Sequence, residues 1–345
     1  MAERPVGFAY DALFLEHDTG EHPENPRRLT ATMALLEESG ILGRLRRVDA
    51  RDATPDELAL VHDPAYVEGV RRVAGRGGGW ADPDTLITAR SYDVAARATG
   101  AALAGLDAVI DGEVSSAFCL VRPPGHHATP VQAMGFCLFN HVAVAAAYAR
   151  ARHGLERVAI VDFDVHHGNG TQDAFYADPG VLYISTHEYP FYPGTGAAHE
   201  TGAGDGRGYT INIPLPAGCG DAEYRRAFGE AVLPALERYR TELIIVSAGF
   251  DAHFADPLAL MELSVDGYGA LVSMLMQAAT ALCGGSLLLA LEGGYDLVAL
   301  PWCVRRTLEL LLGDAPAADP LGTIVSPEAP RIDEILRQVR ELHGL

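Results

Sequence analysis

Short apolar runs alternate with longer alanine- and leucine-rich runs along most of this chain. The short runs are typical of buried parallel strands, and the longer ones have the length of helices. The predicted strands are residues 6–10, 114–121, 157–165, 181–186, 208–213, 242–248 and 286–291. The predicted helices are residues 92–110, 140–153, 222–239, 266–282, 297–313 and, after a proline-containing loop at 316–330, an amphipathic segment near 330–343. This alternation predicts an α/β fold, with a mostly parallel sheet covered by helices on both faces.

The pattern continues without a Pro/Ser-rich linker, a low-complexity tract or a repeat, so residues 1–345 are predicted to form a single domain. A hydrophobic content of 48% over 345 residues is enough for a large core. No apolar stretch approaches the roughly 18 residues of a membrane span, and the N-terminus lacks the pattern of a secretory signal. The five scattered cysteines form no CxxC pair, which favours free thiols in a reducing cytoplasm.

The net charge of −20 argues against direct nucleic-acid binding, which needs a basic surface. The same charge fits long-range attraction of cationic substrates, and it fits solubility alone equally well. Nothing in the composition indicates the oligomeric state.

The most informative polar segment is DFDVHH at residues 162–167, which follows an apolar run. If the strand continues through it, Asp162, Asp164 and His166 lie on one face, since side chains alternate along a strand. Ionisable groups on a buried face need a counter-charge, and carboxylate with imidazole is a zinc ligand set. The alternative is a strand end with solvated acids and core histidines.

Polar or glycine-rich turns follow other predicted strands as well, at residues 122–127, 185–187, 247–256 and 292–295. Ligands of open α/β sheets bind beyond the carboxyl ends of the strands, so these turns predict one shared site. A catalytic zinc has three protein ligands and an open position. Asp164 and His166 supply two, and the chemistry leaves Asp251, His253 and Asp256 open as the third.

Two further motifs suggest proton transfer and carbonyl binding. His126 and His127 follow a Pro-Pro-Gly turn and can divide the roles of proton carrier and electrostatic partner, or they are hydrogen-bonded loop histidines. Tyr295 follows two glycines and could donate to an oxyanion, although most such tyrosines only pack. Phe136 and Tyr192 are either core aromatics or the walls of an apolar channel.

Six ordered motifs, RPPGHHA, MGFCLFNH, DFDVHHGNGTQ, YISTHEYPFYPGTG, SAGFDAHFADP and LEGGYD, resemble the histone deacetylase superfamily. That superfamily includes acetylpolyamine amidohydrolases and acetoin-utilisation proteins. The resemblance runs from HPENP at residues 22–26 to Tyr295, and it implies the arginase–deacetylase fold, a central eight-stranded parallel sheet between helices. It also implies zinc, or Fe²⁺ with the same ligands, on Asp164, His166 and Asp256.

The resemblance implies roles for the remaining motif residues. His127 matches the general base and acid, His126 its electrostatic partner, and Asp162 the carboxylate behind His126. Tyr295 matches the residue that polarises the scissile carbonyl. The implied reaction is attack of zinc-bound water on an amide, without a covalent acyl-enzyme.

The resemblance also implies a substrate channel and a structural potassium ion. The expected channel residues are Phe136, Tyr192, Gly135, Leu263, Gly293 and Gly294. The potassium ligands implied are Asp162, Ser185 and Thr186, partly through backbone carbonyls, together with Asp164 and His166. Asn169 stands where class I enzymes carry Asp, and together with HPENP it is typical of class II-like and bacterial members. As the partner of His127, an amide makes the imidazole less basic than a carboxylate would.

The implied substrate is an acetylated (acylated) lysine of a protein or peptide, and the alternative is an acetylated polyamine. Leu263 occupies the position of the Glu gatekeeper of polyamine-selective relatives, and region 70–92 is short. Both features favour the acyl-lysine substrate over the polyamine. All 26 basic residues are arginine. The codon usage of a GC-rich genome explains this better than a need to avoid lysines that could themselves be acylated. A non-catalytic binding module, or a binuclear manganese ureohydrolase with an Asp-x-His-x-Asp strand, fits these motifs less well.

Overall fold

A computed structural model describes residues 5–315, 317–324 and 330–345 of the protein. Its main sheet contains the strands β1 (Val6–Ala9), β2 (Arg46–Val48), β5 (Ser116–Cys119), β6 (Val158–Asp162), β7 (Val181–Glu188), β8 (Thr210–Leu215), β9 (Leu243–Ala248) and β10 (Leu287–Leu291). These eight strands lie in the order β2-β1-β5-β10-β9-β6-β7-β8. Every neighbouring pair is parallel, so the predicted α/β class and eight-stranded sheet are confirmed.

The central strands are buried on both faces, which explains their continuous apolar runs. All residues of β6, β7, β9 and β10 are buried, as expected for a parallel sheet covered by helices on both sides. The edge strand β2 was not predicted, because two of its three residues are exposed arginines and only Val48 is buried.

Helices cover the sheet, and those predicted from the sequence are present. The helices are α1 (Arg27–Glu38), α2 (Pro55–Leu58), α3 (Pro64–Gly75), α4 (Ser91–Ile110), α5 (His141–His153), α6 (Asn169–Phe175), α7 (Asp221–Ala227), α8 (Leu233–Tyr239), α9 (Val265–Cys283), α10 (Ala299–Leu311) and α11 (Asp333–His343). A π turn at Phe228–Val232 joins α7 to α8, so together they form the predicted helix at 222–239. Short 3₁₀ segments lie at Ala12–Glu16, Ile41–Arg44 and Gly204–Gly206.

The helices α1, α2, α3 and α6 were not predicted, and α11 packs against β8. Residues 316 and 325–329 of the predicted proline-containing loop lie outside the described residues. Within the described part of the chain, no helix has both the length and the apolar character needed to cross a bilayer.

A separate antiparallel hairpin, β3 (Gly78–Trp80) with β4 (Leu86–Thr88), lies beside the carboxyl edge of the sheet. Just before β4, the Thr85 hydroxyl accepts a hydrogen bond of 3.1 Å from the Phe136 backbone N–H. The hairpin therefore supports the segment predicted to form the channel wall.

The predicted strand 157–165 is too long, because β6 ends at Asp162. The Asp162 carboxylate accepts the Asp164 backbone N–H at 3.1 Å, and the Asp164 carboxylate accepts the His166 N–H at 2.9 Å. Such local bonds from Asp side chains compete with a strand ladder and favour turns. The expectation that Asp162, Asp164 and His166 alternate along one strand face is therefore wrong, and successive turns bring them together instead.

Candidate active site

A cluster of acidic and imidazole side chains lies at the carboxyl edge of the sheet. The ligand atoms of Asp164, His166 and Asp251 lie within 4.8 Å of one another, and all three residues are buried. His166 Nδ1 is 3.2 Å from Asp164 Oδ1 and 3.2 Å from Asp251 Oδ2. Asp164 and His166 follow β6, whereas Asp251 follows β9, so the predicted meeting of strand ends is present.

Backbone N–H groups hold both carboxylates in place. Asp164 Oδ2 accepts the Gly293 N–H at 2.8 Å, and Asp251 Oδ1 accepts the Val165 N–H at 2.8 Å. A Cβ atom on Gly293 would lie 2.0 Å from Asp251 Oδ2. Only glycine lets the turn after β10 approach the acids this closely, which places Gly293 beside the cluster rather than in an open wall.

Asp256, the third ligand implied by the resemblance, lies next to the cluster and is held by the turn that carries Tyr295. Its Oδ2 accepts the Tyr295 N–H at 2.6 Å and the Asp296 N–H at 3.2 Å. His253, the remaining candidate, accepts the Ala255 N–H at its Nδ1 and packs against Phe254.

The donor set fits a divalent cation. Burial, with the charge of Asp164, raises the pKa of Asp251 to about 6, and burial with the charge of Asp251 raises the pKa of Asp256 to about 7. Three buried carboxylates that repel one another are costly without a cation. Carboxylate and imidazole are suitable zinc ligands. The residues present therefore fit zinc.

The two histidines of the Pro-Pro-Gly turn lie beside this cluster, with their ring centroids 4.0 Å apart. His126 Nδ1 donates to Asp162 Oδ2 at 3.1 Å, and His127 Nδ1 donates to Asn169 Oδ1 at 2.9 Å. Burial opposes protonation of His126, but Asp164 and Asp162 raise its pKa to about 10. Burial and the neighbouring charge of His126 lower the pKa of His127 well below its usual range. The pair thus combines a charged and a neutral imidazole, and the Nδ1 bond to Asn169 makes Nε2 the unprotonated nitrogen of His127.

Glu292 and Gly135 fix the position of the turn at residues 122–127, called the histidine turn below. Glu292 Oε2 accepts the backbone N–H groups of Gly125 and His126 at 2.5 and 3.1 Å. Gly135 has φ of 56°, and a Cβ atom there would lie 2.4 Å from the His127 ring. A larger residue at position 135 would displace the His127 ring.

Aromatic side chains surround the histidines and Tyr295. The Tyr192 ring lies 5.1 Å from His127, and the Phe136 ring lies 5.8 Å from Tyr295, both edge to face. Phe191, which was not singled out from the sequence, stacks on His166 at 5.6 Å. The sequence feature that could have identified Phe191 is its position in an aromatic run next to Tyr192.

Leu263 was expected in the channel, but its side chain has no exposed surface and belongs to the core. Its backbone N–H donates to the Ala252 carbonyl at 3.0 Å, and its own carbonyl accepts the Phe254 N–H at 2.9 Å. Because these bonds hold position 263 inside the loop that carries Asp256, the structure does not place Leu263 in the channel wall.

Arg28 supports the turn at residues 292–295, called the tyrosine turn below, and was not predicted from the sequence. Its Nε donates to the Gly294 carbonyl at 2.6 Å and its Nη2 to the Glu292 carbonyl at 2.5 Å. The guanidinium carbon lies 4.8 Å from the centre of the Tyr295 ring. One buried cation therefore fixes the backbone on one side of Tyr295 and contacts its ring.

The residues expected around potassium meet where β6 and β7 end. Asp162 pairs with Ser185 in the sheet, and the Thr186 hydroxyl donates to the Asp162 carbonyl at 3.5 Å. All three are buried. His167, the second histidine of DFDVHH, contacts Thr195 at 2.8 Å and Gln172 at 3.1 Å, away from the acidic cluster.

Comparison with known proteins agrees with this arrangement. Residues 22–311 match the histone deacetylase domain. The protein is a hydrolase of the deacetylase and amidohydrolase class with the arginase–deacetylase fold. The chain belongs to the histone deacetylase family.

Similar proteins span bacteria and archaea. The histone deacetylase-like amidohydrolase of Pseudomonas aeruginosa is 41% identical over 350 residues, covering 95% of this chain and 91% of the relative. A probable deacetylase of Archaeoglobus fulgidus is 40% identical over 301 residues, covering 86% of this chain and 83% of the relative. The crystal structure of the HDA15 HD domain superposes with a TM-score of 0.90 at 38% identity, covering 99% of this chain and 94% of that domain.

Proposed function

We propose that the protein is a zinc-dependent deacetylase that removes acetyl groups from lysine side chains of proteins or peptides. The observation that carries this proposal is the imidazole of His127, which Asn169 orients through Nδ1 and whose ring centre lies 6.0 Å from that of His166 in the acidic cluster. Such a pairing suits general acid–base hydrolysis of an amide.

Asp164, His166 and Asp256 would hold the zinc ion, and Asp251 is the alternative third ligand. When bound, zinc supplies Lewis acidity to a water molecule and to the acyl carbonyl. Fe²⁺ would suit the same donors. Asp162, Ser185 and Thr186 would hold potassium, partly through backbone carbonyls. The five cysteines, all within the described residues, are unpaired, which supports the cytoplasm as the proposed compartment.

The chain's own residues carry the proton transfers. His127 Nε2 takes a proton from the attacking water and returns one to the leaving lysine amine. Asn169 fixes the tautomer that leaves Nε2 unprotonated, because its amide oxygen accepts the Nδ1 proton. His126, paired with Asp162, keeps a positive charge beside the developing negative charge.

Tyr295 and the aromatic residues bind the acyl-lysine. Burial raises the pKa of Tyr295 well above its usual range, so its hydroxyl keeps the proton that it donates to the oxyanion. Phe136 and Tyr192 would flank the aliphatic part of the lysine side chain and exclude water from the reacting amide.

Replacing Tyr295 by Phe is expected to slow deacetylation on the order of 10²–10³-fold, because one oxyanion donor is lost while the ring contacts with Phe136 and Arg28 remain. The rate is measured with an acetyl-lysine peptide at saturation. Tyr148→Phe, a change on α5, removes a hydroxyl that lies 3.4 Å from Asp107 of α4 and should leave the rate unchanged. A normal rate for Tyr295→Phe would refute the oxyanion role.

An acetylpolyamine amidohydrolase is the second candidate, favoured by the net charge of −20. The short hairpin region supports the peptide substrate instead. We expect a higher kcat/KM for an acetyl-lysine peptide than for acetylputrescine or acetylspermidine, measured with the same enzyme preparation. A large preference for the polyamine would refute the first choice.

A further inference from the structure

The HPENP motif at residues 22–26 has no role in the reaction described above, yet its acid is buried inside the protein. Glu24 is 1% exposed. Its Oε1 accepts from Arg122 Nε at 2.6 Å and from Arg28 Nη1 at 3.3 Å, and its Oε2 accepts from Arg122 Nη2 at 2.9 Å. One carboxylate thus lies between two fully buried arginines.

The two arginines belong to the two segments that carry the reactive side chains. Arg28 donates to the carbonyls of Glu292 and Gly294, immediately before Tyr295. Arg122 begins the RPPGHH turn that ends in His127, and its Nη1 also donates to the Phe14 carbonyl at 3.0 Å. Glu24 therefore links the tyrosine turn to the histidine turn.

The charges around Glu24 show why the link needs a carboxylate. Burial lowers the pKa of Arg122, and the nearby charge of Arg28 lowers it further, so the two cations repel each other. His17, 3.7 Å from Glu24 Oε2, is neutral at pH 7, because burial lowers its pKa to about 4. Glu24 bonds both arginines and is the main charge that compensates them, with a smaller favourable effect of Asp18 on Arg122. Removing one member of a buried ionic group leaves an uncompensated charge, which is strongly unfavourable.

We propose that Glu24 is a positioning residue that, through Arg28 and Arg122, sets the place of the Tyr295 hydroxyl relative to His127. This inference rests on the proposed function, because it concerns the distance between the oxyanion donor and the base. Without the carboxylate, repulsion from Arg122 displaces Arg28 from the Glu292 and Gly294 carbonyls, and Tyr295 moves with them. A displacement of about 1 Å at a reacting centre can cost about 10²-fold in rate.

The test uses Glu24→Gln, which keeps the size of the side chain but removes its charge. We expect kcat for an acetyl-lysine peptide to fall about 10²-fold with little change in KM. For the matching trifluoroacetyl-lysine peptide, kcat should fall far less, because its electron-poor carbonyl depends less on the hydrogen bond from Tyr295. Glu21→Gln, an exposed acid of the same segment, should leave both rates unchanged.

A double variant separates positioning from general destabilisation. In the Tyr295→Phe background, Glu24→Gln should cost little more, since coupled residues give non-additive effects. Equal losses on both peptides, or a full additional loss in that background, would overturn the proposal. If Glu24→Gln does not fold, Glu24→Asp keeps the charge but shortens the side chain. It is tested by the same ratio of the rates on the acetyl-lysine and trifluoroacetyl-lysine peptides. A wild-type protein without activity on either peptide would instead contradict the proposed function.

Discussion

Replacement of His127 by alanine is expected to reduce deacetylation on the order of 10⁴-fold, or about 5 kcal/mol in the activation barrier. The loss lies at the upper end for one residue because His127 is proposed to act twice, first as base and then as acid. Its Nδ1 bonds to Asn169 and its Nε2 has no ligand role, so zinc should remain bound. Turnover of an acetyl-lysine peptide and zinc content by elemental analysis are measured on the same sample.

His153→Ala is the control for this substitution. His153 ends α5, lies 2.7 Å from Asp107, and precedes the amino end of β6, whereas the site lies at the carboxyl end of that strand. Its replacement should leave both turnover and zinc content unchanged. Wild-type turnover in His127→Ala would contradict the assigned role, whereas loss of zinc in that variant would show that His127 helps to hold the metal.

Removal of a metal-binding carboxylate is expected to abolish activity through loss of zinc. The two possible third ligands allow a matched comparison, because Asp251→Asn and Asp256→Asn change the same atoms. We expect Asp256→Asn to fall well below one zinc per chain after dialysis against a chelator. Asp251→Asn should retain zinc, since the asparagine oxygen can still accept the Val165 N–H.

The reverse result would assign the third ligand to Asp251, as its 3.2 Å distance from His166 Nδ1 allows. Asp164→Asn should lose zinc in either case and serves as the positive control. Circular dichroism of each variant shows whether the fold is retained, so that loss of metal is not mistaken for unfolding.

The sequence predicted those parts of the fold and site that depend on local pattern. Continuous apolar runs identified the buried strands, and polar residues after those runs located the site at their carboxyl ends. The end of β6 was missed because side-chain bonds from Asp162 and Asp164 replace the strand ladder, and a hydrophobic pattern does not report such bonds.

The residues that the sequence did not reveal owe their place to contacts between distant segments. Arg28 lies at the start of a helix and would ordinarily face solvent, but it bonds to Gly294, which is 266 residues away. Glu24 belongs to a motif with several polar residues, and only the fold shows that it is buried. Asp251 and Asp256 have the same chemistry, so only their surroundings can distinguish them.

The order of strands in the sheet has a consequence for synthesis on the ribosome. Of the strands that the structure describes, β10 is the last to emerge, yet it lies in the middle of the sheet between β5 and β9. Until it is made, the nascent chain carries two separate half-sheets whose open edges can pair with other chains. The turn with Tyr295 follows β10, so catalytic competence is acquired only after β10 has emerged, and chaperone protection would matter most in the interval before it.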